Sequence, residues 1–526
     1  MKMKTCFVLF TVTFFCLSPF ARAATRTWDG GGANDNWATA GNWVGDVAPN
    51  AGDDLVFPSG AARLSNSNNF VAGTTFNSIT ISGTNYFLYG SNIVLNAGLN
   101  ATNTTFLNYF FIPLTLNSNQ TITTGNMGVN LYLYGAIDTN GKDLTFAGNG
   151  MAQVSAFISG AGGLIKVGTG GLLLYTSNTF AGPVQVVAGT LNIYQANTLG
   201  ATNGSTMISA GTILTLGASL AGAVPEPLAI AGTLAASGPS KTLTGPITLS
   251  ASNAAIVGPF TINGVISGSG GFTKSSSDAL TLNASNTYTG TTKIDGPLVV
   301  NGNQPASPIL LSGTLSGTGT VGTITASGSL GKHIYPGSGG PGILSCSNVI
   351  LNSSTFFSVK LNGAAPGSGY DQLKVNGSVA LGDTTLSVTL GYTPAVGDSF
   401  TIINNDGSEP VTNTFNGLLP GNYFSVGGRT FRINYAGGDG NDVVLLRTNA
   451  PPATFTSVAS LMNGVTSLQN LGLPGLTYSI EAALNLNPVI AWTPIGSAVA
   501  NGSGVFSFTD TNAPSFPMRF YRTVSP

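Results

Sequence analysis

Acidic residues that could catalyse a reaction are few and widely spaced in the middle of this chain. Between residues 60 and 360 no two carboxylates lie within two residues of each other, and the five present are Asp138, Asp143, Glu226, Asp278 and Asp295. An inverting glycoside hydrolase needs two carboxylates about 6.5–9.5 Å apart. The spacing predicts that the protein is not an enzyme. A polysaccharide lyase or hydrolase stays open as an alternative, because side chains from stacked strands about 4.8 Å apart could converge.

Nucleophilic chemistry would depend on single residues. His333 is the only histidine, so any Ser–His–Asp triad must contain it, and its neighbours in GKHIYPG indicate a turn. Cys346 is the only cysteine beyond the N-terminal segment 1–23, so a chain without that segment has no intramolecular disulfide. We expect Cys346 to be a buried, small apolar residue and not a nucleophile. No catalytic residue is predicted.

One short motif fits a metal site. The sequence GGDGNDVVL, from Gly437 to Leu445, matches the calcium-binding repeat G-G-x-G-x-D-x-U-x, and its ligands would be Asp439 and Asp442. A single copy supplies only half of such a site. The other interpretation is a glycine turn whose Asp and Asn side chains cap backbone amides. Calcium is the only cofactor considered, and a weaker calcium motif comprises Asp29, Asp35, Asp53 and Asp54.

Three of the four tryptophans lie close together near the N-terminus. Trp28, Trp37 and Trp43 are separated by Asn, Asp and Gly residues. Such a segment predicts a cap over the open end of a stack of strands, which needs covering to prevent edge pairing. The functional alternative is a ligand site in which the three indoles form a platform for a sugar.

The elements that must position these residues are indicated by an internal repeat. The segments 158–182 and 266–290 are identical at 12 of 25 positions when they are aligned without a gap. Each holds two leucines one residue apart, the period of a half-buried strand, followed by Asn, an aromatic residue and Gly, which we interpret as a turn because Asn and Gly tolerate positive φ. Repeated short strands and turns without helical periodicity predict a parallel β-solenoid.

Composition supports this prediction and limits the partners. Only 7% of the residues are charged, against about 25% in an average domain, so outward positions should carry ladders of hydroxyl and amide side chains. The formal net charge is −1 for the whole chain. A chain with so little positive charge is not expected to bind nucleic acid or an anionic membrane surface.

The N-terminal segment 1–23 has the pattern of a secretory signal peptide. A basic start precedes a largely apolar run from Cys6 to Leu17, and small residues flank the expected cleavage between Ala23 and Ala24. The run is shorter than the roughly 20 residues needed to span a bilayer. We therefore expect a secreted or cell-surface bacterial protein whose mature chain has no membrane span.

Composition and motifs divide the chain into segments. The predicted segments are a signal peptide (1–23), a Trp-rich cap (24–60), a β-helix (61–360) with repeats at 158–191 and 266–300, a closing β module (361–447), a linker (448–453) and a C-terminal β-sandwich for sorting or attachment (454–526).

The two repeats resemble the autotransporter-associated β-strand repeat, GG-L-x-K-x-G-x-G-x-L-x-L-x-x-x-N-x-Y-x-G followed by GTL. Lys166 and Lys274 occupy its lysine position, Phe180 replaces its Tyr, and the second copy departs from the pattern at Ser275–Asp278. The resemblance implies a right-handed parallel β-helix, displayed or released by a bacterium, and implies no catalysis. The last residues, RFYRTVSP, do not resemble the end of a translocator barrel, so we expect a passenger-like protein without one.

Three functions follow as hypotheses. The first is a structural, adhesin-like surface or matrix protein whose elongated β-helix mediates adhesion or self-association. The second is a carbohydrate-binding protein that uses the tryptophan cluster. The third is a polysaccharide-degrading enzyme on a β-helix scaffold. The expected partners are polysaccharide or other cell-surface material, and further copies of the same chain.

Overall fold

Short strands that stack in parallel build most of the molecule. A computed structural model describes residues 23–103, 105–126, 128, 130–329 and 331–525, so the predicted signal peptide lies outside the described residues except for Ala23. The chain follows three faces in turn and returns to the same face after one coil. In sheet 1, for example, Leu164 pairs with Val184 of the next coil, and Val184 pairs with Thr206 of the coil after that. The predicted parallel β-helix is therefore confirmed.

Five sheets form the three faces. Sheet 1 has 12 strands, namely Thr25–Thr27, Asp54–Phe57, Ile79–Ile81, Leu99–Ala101, Gln120–Thr124, Leu144–Gly148, Leu164–Lys166, Val184–Val186, Thr206–Ile208, Leu228–Ile230, Ile247–Leu249 and Ile266–Ser267. Sheet 2 has 16, namely Ser65–Asn68, Phe87–Gly90, Leu107–Phe110, Asn130–Leu133, Met151–Val154, Gly171–Leu174, Thr190–Ile193, Ile213–Leu216, Thr233–Ala236, Ala254–Val257, Phe272–Lys274, Thr292–Ile294, Ile309–Leu311, Ile324–Ala326, Val349–Ile350 and Val379–Ala380.

Sheets 3 and 4 form the third face, and sheet 5 continues the first face in the later coils. Sheet 3 has five strands, namely Thr74–Phe76, Ile93–Leu95, Leu114–Leu116, Ile137–Asp138 and Ile158–Ser159. Sheet 4 has nine, namely Ala223–Val224, Lys241–Leu243, Phe260–Ile262, Leu280–Leu282, Pro297–Val300, Thr314–Gly317, Lys332–Pro336, Thr355–Leu361 and Thr385–Leu390. Sheet 5 has eight, namely Asn303–Gln304, Thr320–Val321, Ile343–Cys346, Gln372–Val375, Ser399–Asn405, Tyr423–Val426, Arg429–Gly437 and Asp442–Thr448.

Alternation of side chains explains why these segments form strands around one core. In Leu172–Leu174 the two outer leucines are buried and the middle one is half-buried, because successive side chains of a strand point to opposite faces. Leu172 pairs in register with Ala152 on one side and Leu191 on the other. Inward residues of every coil therefore stack into one continuous apolar interior, which extends from Trp28 to Leu445.

The two copies of the repeat lie on different faces of the helix. Leu164–Lys166 and Gly171–Leu174 of the first copy belong to sheets 1 and 2. The equivalent strands of the second copy, Phe272–Lys274 and Leu280–Leu282, belong to sheets 2 and 4. The interval between the two copies is therefore not a whole number of coils, and the repeat specifies a strand–turn–strand unit without specifying its face.

Outward polar side chains form the expected ladders. Asn283 donates to Asn263 at 2.9 Å, and Asn301 donates to Asn283 at 3.0 Å. Ser312 and Ser327 are similarly 2.8 Å apart on consecutive coils. Such ladders satisfy polar groups between coils without charged side chains.

The closing coils change strand direction. In sheet 5, Ser399–Asn405 pairs antiparallel with Asp442–Thr448, which pairs antiparallel with Arg429–Gly437. These long antiparallel strands cover the interior at this end.

The C-terminal region has a core of its own. One three-stranded antiparallel sheet contains Thr454–Ser460, Thr466–Leu471 and Val505–Asp510, and the other contains Thr477–Ala483, Thr493–Val499 and Phe520–Val524. Leu468 and Phe506 from the first sheet and Tyr478 and Ile480 from the second share this core, as in a small sandwich. The helices among the described residues are the 3-10 turns Ala40–Asn42, Met462–Gly464 and Ala513–Ser515. In the described part of the chain no helix has the length and apolar character to cross a membrane.

Candidate functional surface

The tryptophan cluster lies inside the N-terminal cap. Trp28, Trp37 and Trp43 are fully buried, and their rings pack edge to face at centroid distances of 5.3 and 6.4 Å. Each indole N–H donates to an internal acceptor, namely Arg63 O, Asn66 Oδ1 and Trp37 O. A sugar needs an exposed ring face for stacking. The burial therefore contradicts the sugar-stacking interpretation, and the three rings form the core of a cap.

The acidic residues of the cap have separate structural partners. Asp29 accepts the N–H of Gly31, and Asp35 forms an ion pair with Arg63. Asp53 binds Arg26, whereas Asp54 accepts hydrogen bonds from Asn77 and Ser78. Across the described residues, no group of three or more His, Cys, Asp or Glu side chains is arranged to hold a metal ion.

The GGDGNDVVL segment forms a turn between two antiparallel strands. Asp442 is 5% exposed, and its Oδ1 accepts the N–H of Asn405 at 2.9 Å. Asp439 is exposed in the turn. Burial raises the pKa of the Asp442 carboxyl, and the charges of Asp439 and Asp406 raise it further, against the Asn405 hydrogen bond. Asp442 thus caps a backbone amide, as the glycine-turn interpretation predicts.

The carboxylates of the β-helix have local roles. Asp138 accepts the N–H of Asn140, and Asp143 accepts that of Gly163, both at 2.9 Å. Asp295 forms an ion pair with Lys293. Glu226 is buried and accepts the hydroxyl of Thr206 at 3.0 Å, and burial raises its pKa to about 7.

His333 contacts neighbouring aromatic residues, and Cys346 is inaccessible to solvent. The Nδ1 of His333 lies 3.0 Å from the hydroxyl of Tyr335, and its ring stacks on Phe356 at 5.0 Å. Cys346 is buried, and burial raises the pKa of its thiol to about 12. A thiol that stays protonated at neutral pH is a poor nucleophile.

The lysine shared by the two repeats stabilises a turn. Lys166 is 2% exposed, and its Nζ donates to the carbonyls of Val167 and Gly168 at 2.8 Å. Burial lowers its pKa to about 8. Lys274, fully buried, donates in the same way to the carbonyl of Ser276 at 2.6 Å. Both ammonium groups are enclosed and satisfy carbonyl groups of the bend that follows.

A group of partly exposed aromatic rings stands out on the outer side of sheet 2. We call it the aromatic array; it has two columns and three coils and consists of Phe87, Tyr89, Tyr109, Phe111, Tyr132 and Tyr134. Within the columns, neighbouring rings are nearly parallel with centroids 4.5–5.3 Å apart. Between the columns the centroids are 6.4–6.5 Å apart.

Strand register produces the array. Phe87 pairs with Tyr109, and Tyr109 pairs with Tyr132, so ring stacking follows the spacing of about 4.8 Å between parallel strands. The residues between the columns point inward and are buried. Each stacked pair contributes about 0.5–1.5 kcal/mol beyond its burial. The stacking holds the rings in one orientation.

The surroundings of the aromatic array are polar but uncharged. Ser65 and Ser67 pair with Phe87 and Tyr89 on the preceding strand, and Gln153 follows Tyr132 on the next strand. Tyr89 and Tyr134 are 39% and 41% exposed. The surface therefore presents ring edges and phenol hydroxyls and carries no fixed charge. Such a surface suits contact with an uncharged partner.

Sequence reasoning did not find the aromatic array. The signal present in the sequence is three aromatic pairs, each with one residue between its members, in FLY, YFF and YLY, which begin at Phe87, Tyr109 and Tyr132. These three positions pair on successive strands, so each interval between them is one coil. Only knowledge of the coil length shows that the three pairs lie side by side.

Comparison with known proteins confirms the resemblance inferred from the repeats. A family model described as the passenger-associated-transport repeat matches residues 164–193 and 272–296. These matches contain Lys166 and Lys274 and the strands around them. The chain thus carries two repeats typical of autotransporter passengers.

A curated relative extends this likeness over a longer segment. The chain is 28% identical over 271 residues to a protein named adhesin BmaC autotransporter, from Brucella suis biovar 1 (strain 1330). The match covers 47% of this chain and 7% of the relative. The chain therefore spans only a small part of the length of the relative that it resembles.

Proposed function

We propose that this protein is an exported, adhesin-like β-helix that binds surface material through the aromatic array and catalyses no reaction. The observation that carries the proposal is the array itself, six stacked and partly exposed rings on an uncharged face. The adhesin named above supports the same class of function. Cell-surface or secreted location is part of the proposal, because a passenger-like repeat protein acts outside the cell.

The physical properties of the face indicate how it would bind. Stacking already restricts the rings, so little conformational entropy is lost on contact. Phenol hydroxyls can donate and accept hydrogen bonds, while ring edges bury apolar area worth about 25 cal/mol per Å². The ring faces are stacked on one another, so a partner would contact the hydroxyls and ring edges and would not stack on a face. An uncharged surface polymer, such as a neutral polysaccharide held in this way, fits these properties better than an anionic partner does.

A three-residue variant tests the proposal. Changing Tyr89, Phe111 and Tyr134 to serine removes one column. The new serines would lie between Ser67, which pairs with Tyr89, and Ser155, whose N–H donates to the carbonyl of Leu133, in one polar column. The fold should persist because the inward residues of these strands are unchanged. We expect retention on an insoluble neutral polysaccharide such as cellulose to fall at least ten-fold.

A matched control removes aromatic rings from a different face. Tyr335 and Phe356 stack with His333 in sheet 4, and their replacement by serine should leave retention unchanged. Equal retention of the wild type and the array variant on cellulose would contradict the proposal. The same incubations should release no reducing ends; release of sugar products would show catalysis instead.

A further inference from the structure

The start of the first strand lies beside a buried carboxylate. The backbone N–H of Ala24 donates to Asp53 Oδ1 at 3.0 Å. The other oxygen, Oδ2, accepts the N–H of Asn50 at 2.9 Å and the Nε of Arg26 at 3.0 Å. Asp53 is 6% exposed, and these three donors outweigh its burial, so its pKa lies below the usual value. Asp53 is therefore a charged hydrogen-bond acceptor that is held in place within the cap.

We propose that Asp53 is the binding site for the α-ammonium group that cleavage after Ala23 would create on Ala24. Hydrolysis of the Ala23–Ala24 amide bond consumes one water molecule, leaves a carboxylate on Ala23 and leaves an ammonium on Ala24. Ala23 is exposed, so the bond is accessible to a peptidase. The same nitrogen that donates a neutral hydrogen bond before cleavage then forms a charge-assisted one.

The charges around this nitrogen favour the ammonium. Asp53 faces it directly, and Asp54 lies on the paired strand opposite Thr25. Arg26 is the opposing cation, and its guanidinium already binds the other oxygen of Asp53. Asp53 would thus bind both the arginine and the new ammonium, and Asp54 adds a second negative charge on the paired strand.

The site would couple processing to closure of the cap. Ala24 precedes Thr25–Thr27, which is the terminal strand of sheet 1 and, within the described chain, pairs in that sheet with Asp54–Phe57 alone. The strand leads directly to the buried Trp28. The N–H of Val44 donates to the carbonyl of Thr27 on the other side, so within the described residues only the beginning of this strand is held on one side. Such an end frays readily, and an ion pair at Ala24 would hold it closed.

Hydrogen exchange of the amides from Thr25 to Trp28 tests the proposal. We compare the chain that starts at Ala24 with the same chain preceded by Gly-Ser, which places the ammonium beyond reach of Asp53. Exchange should be about five-fold slower in the chain that starts at Ala24. Acetylation of Ala24, which keeps the N–H and removes the charge, should abolish the difference.

Two aspartate variants provide the specificity test. Asp53→Asn should make the three chains exchange at the same rate, whereas Asp46→Asn, at an exposed position of the cap, should preserve the difference. The N-terminal residue of the exported protein should be Ala24. A difference that persists in Asp53→Asn, equal exchange with and without the extension in the wild type, or a different N-terminus would overturn the proposal.

Discussion

The side-chain carbonyl of Asn178 accepts the backbone N–H of Ile158 at 2.8 Å, one coil earlier in the chain. Asn286 and Ile266 form the same bond at the same distance in the second copy. In each copy these two residues are the first residue and the turn asparagine of the repeat. The repeat therefore closes on itself, because its end stacks on its own beginning.

Replacement of these asparagines should destabilise the two copies unequally. Asn178 also donates to the carbonyl of Thr198 at 2.6 Å, whereas the Nδ2 of Asn286 has no hydrogen-bond partner among the described residues. We expect Asn178→Ala to reduce the free energy of unfolding by about 2–3 kcal/mol and Asn286→Ala by about 1–2 kcal/mol. Denaturant titration measures both. Equal losses would show that the second hydrogen bond contributes nothing.

The strand pattern of the repeat could be predicted from sequence, but the contact that requires the last glycine of each copy could not. The predicted turn rests on the tolerance of Asn and Gly for positive φ, yet neither Gly182 nor Gly290, the last residue of each copy, lies in the left-handed region. They are required because a Cβ at Gly182 would lie 2.4 Å from the backbone N of Gly163, and one at Gly290 would lie 2.2 Å from Gly270. Contacts between coils depend on coil length and stacking, which a single segment does not show.

The same limit applies to the candidate sites, because burial contradicts the sugar platform, which was the alternative to the cap, and the aromatic array was not predicted. The tryptophan spacing predicts a cluster, yet it does not show whether the ring faces are exposed. In the structure Phe57 from the next strand packs against all three indole rings. The aromatic array is the opposite case, because its rings are partly exposed. In the sequence each aromatic pair has the pattern of an ordinary strand, and only the register between coils shows that the pairs are neighbours. Strand periodicity was predictable because it is local, whereas exposure depends on distant residues.

A buried carboxyl should make the stability of the β-helix depend on pH. Burial raises the pKa of Glu226 to about 7 in the folded chain, above its ordinary value in the unfolded chain of about 4.3. The folded state therefore binds the proton more tightly, so this contribution is complete below pH 4 and is lost as pH rises to 7.

Comparison with Glu226→Gln isolates the effect. The free energy of unfolding of the wild type, minus that of the variant, should fall between about pH 4 and pH 7 and stay constant above. The size of this fall should be on the order of 3 kcal/mol. Denaturant titrations at a series of pH values measure it; a difference that does not change with pH would mean that the carboxyl is not protonated in the folded state.

Removal of the Asp442 side chain should expose a backbone amide without a partner. Asp442→Ala leaves the N–H of Asn405 unsatisfied in a buried position, which should cost about 2 kcal/mol of unfolding free energy. Asp442→Asn keeps an acceptor and should cost less than about 1 kcal/mol. Thermal unfolding of the two variants decides between these outcomes.

Calcium addition tests the alternative role of the same turn. If Asp442 only caps the amide, calcium at about 1 mM, the upper range for extracellular calcium modules, should leave the melting temperature of the wild type unchanged. A rise of several degrees that disappears in Asp439→Asn would instead assign the turn to calcium binding. Asp439 is exposed and suits this comparison, because its replacement should not disturb the fold.

Contact between coils at Gly182 should make substitution by alanine more costly there than at a glycine whose only special feature is a positive φ. Gly211 has a φ of 78° and open space around its Cβ position, so Gly211→Ala should cost about 1–2 kcal/mol for the left-handed conformation alone. Gly182→Ala would push a methyl group into the backbone of the preceding coil, and we expect a loss of about 3 kcal/mol or more. Denaturant titration of both variants, with Gly290→Ala as the second copy, provides the comparison. A smaller loss at Gly182 than at Gly211 would mean that the coils move apart easily, contrary to the close packing on which the repeat depends.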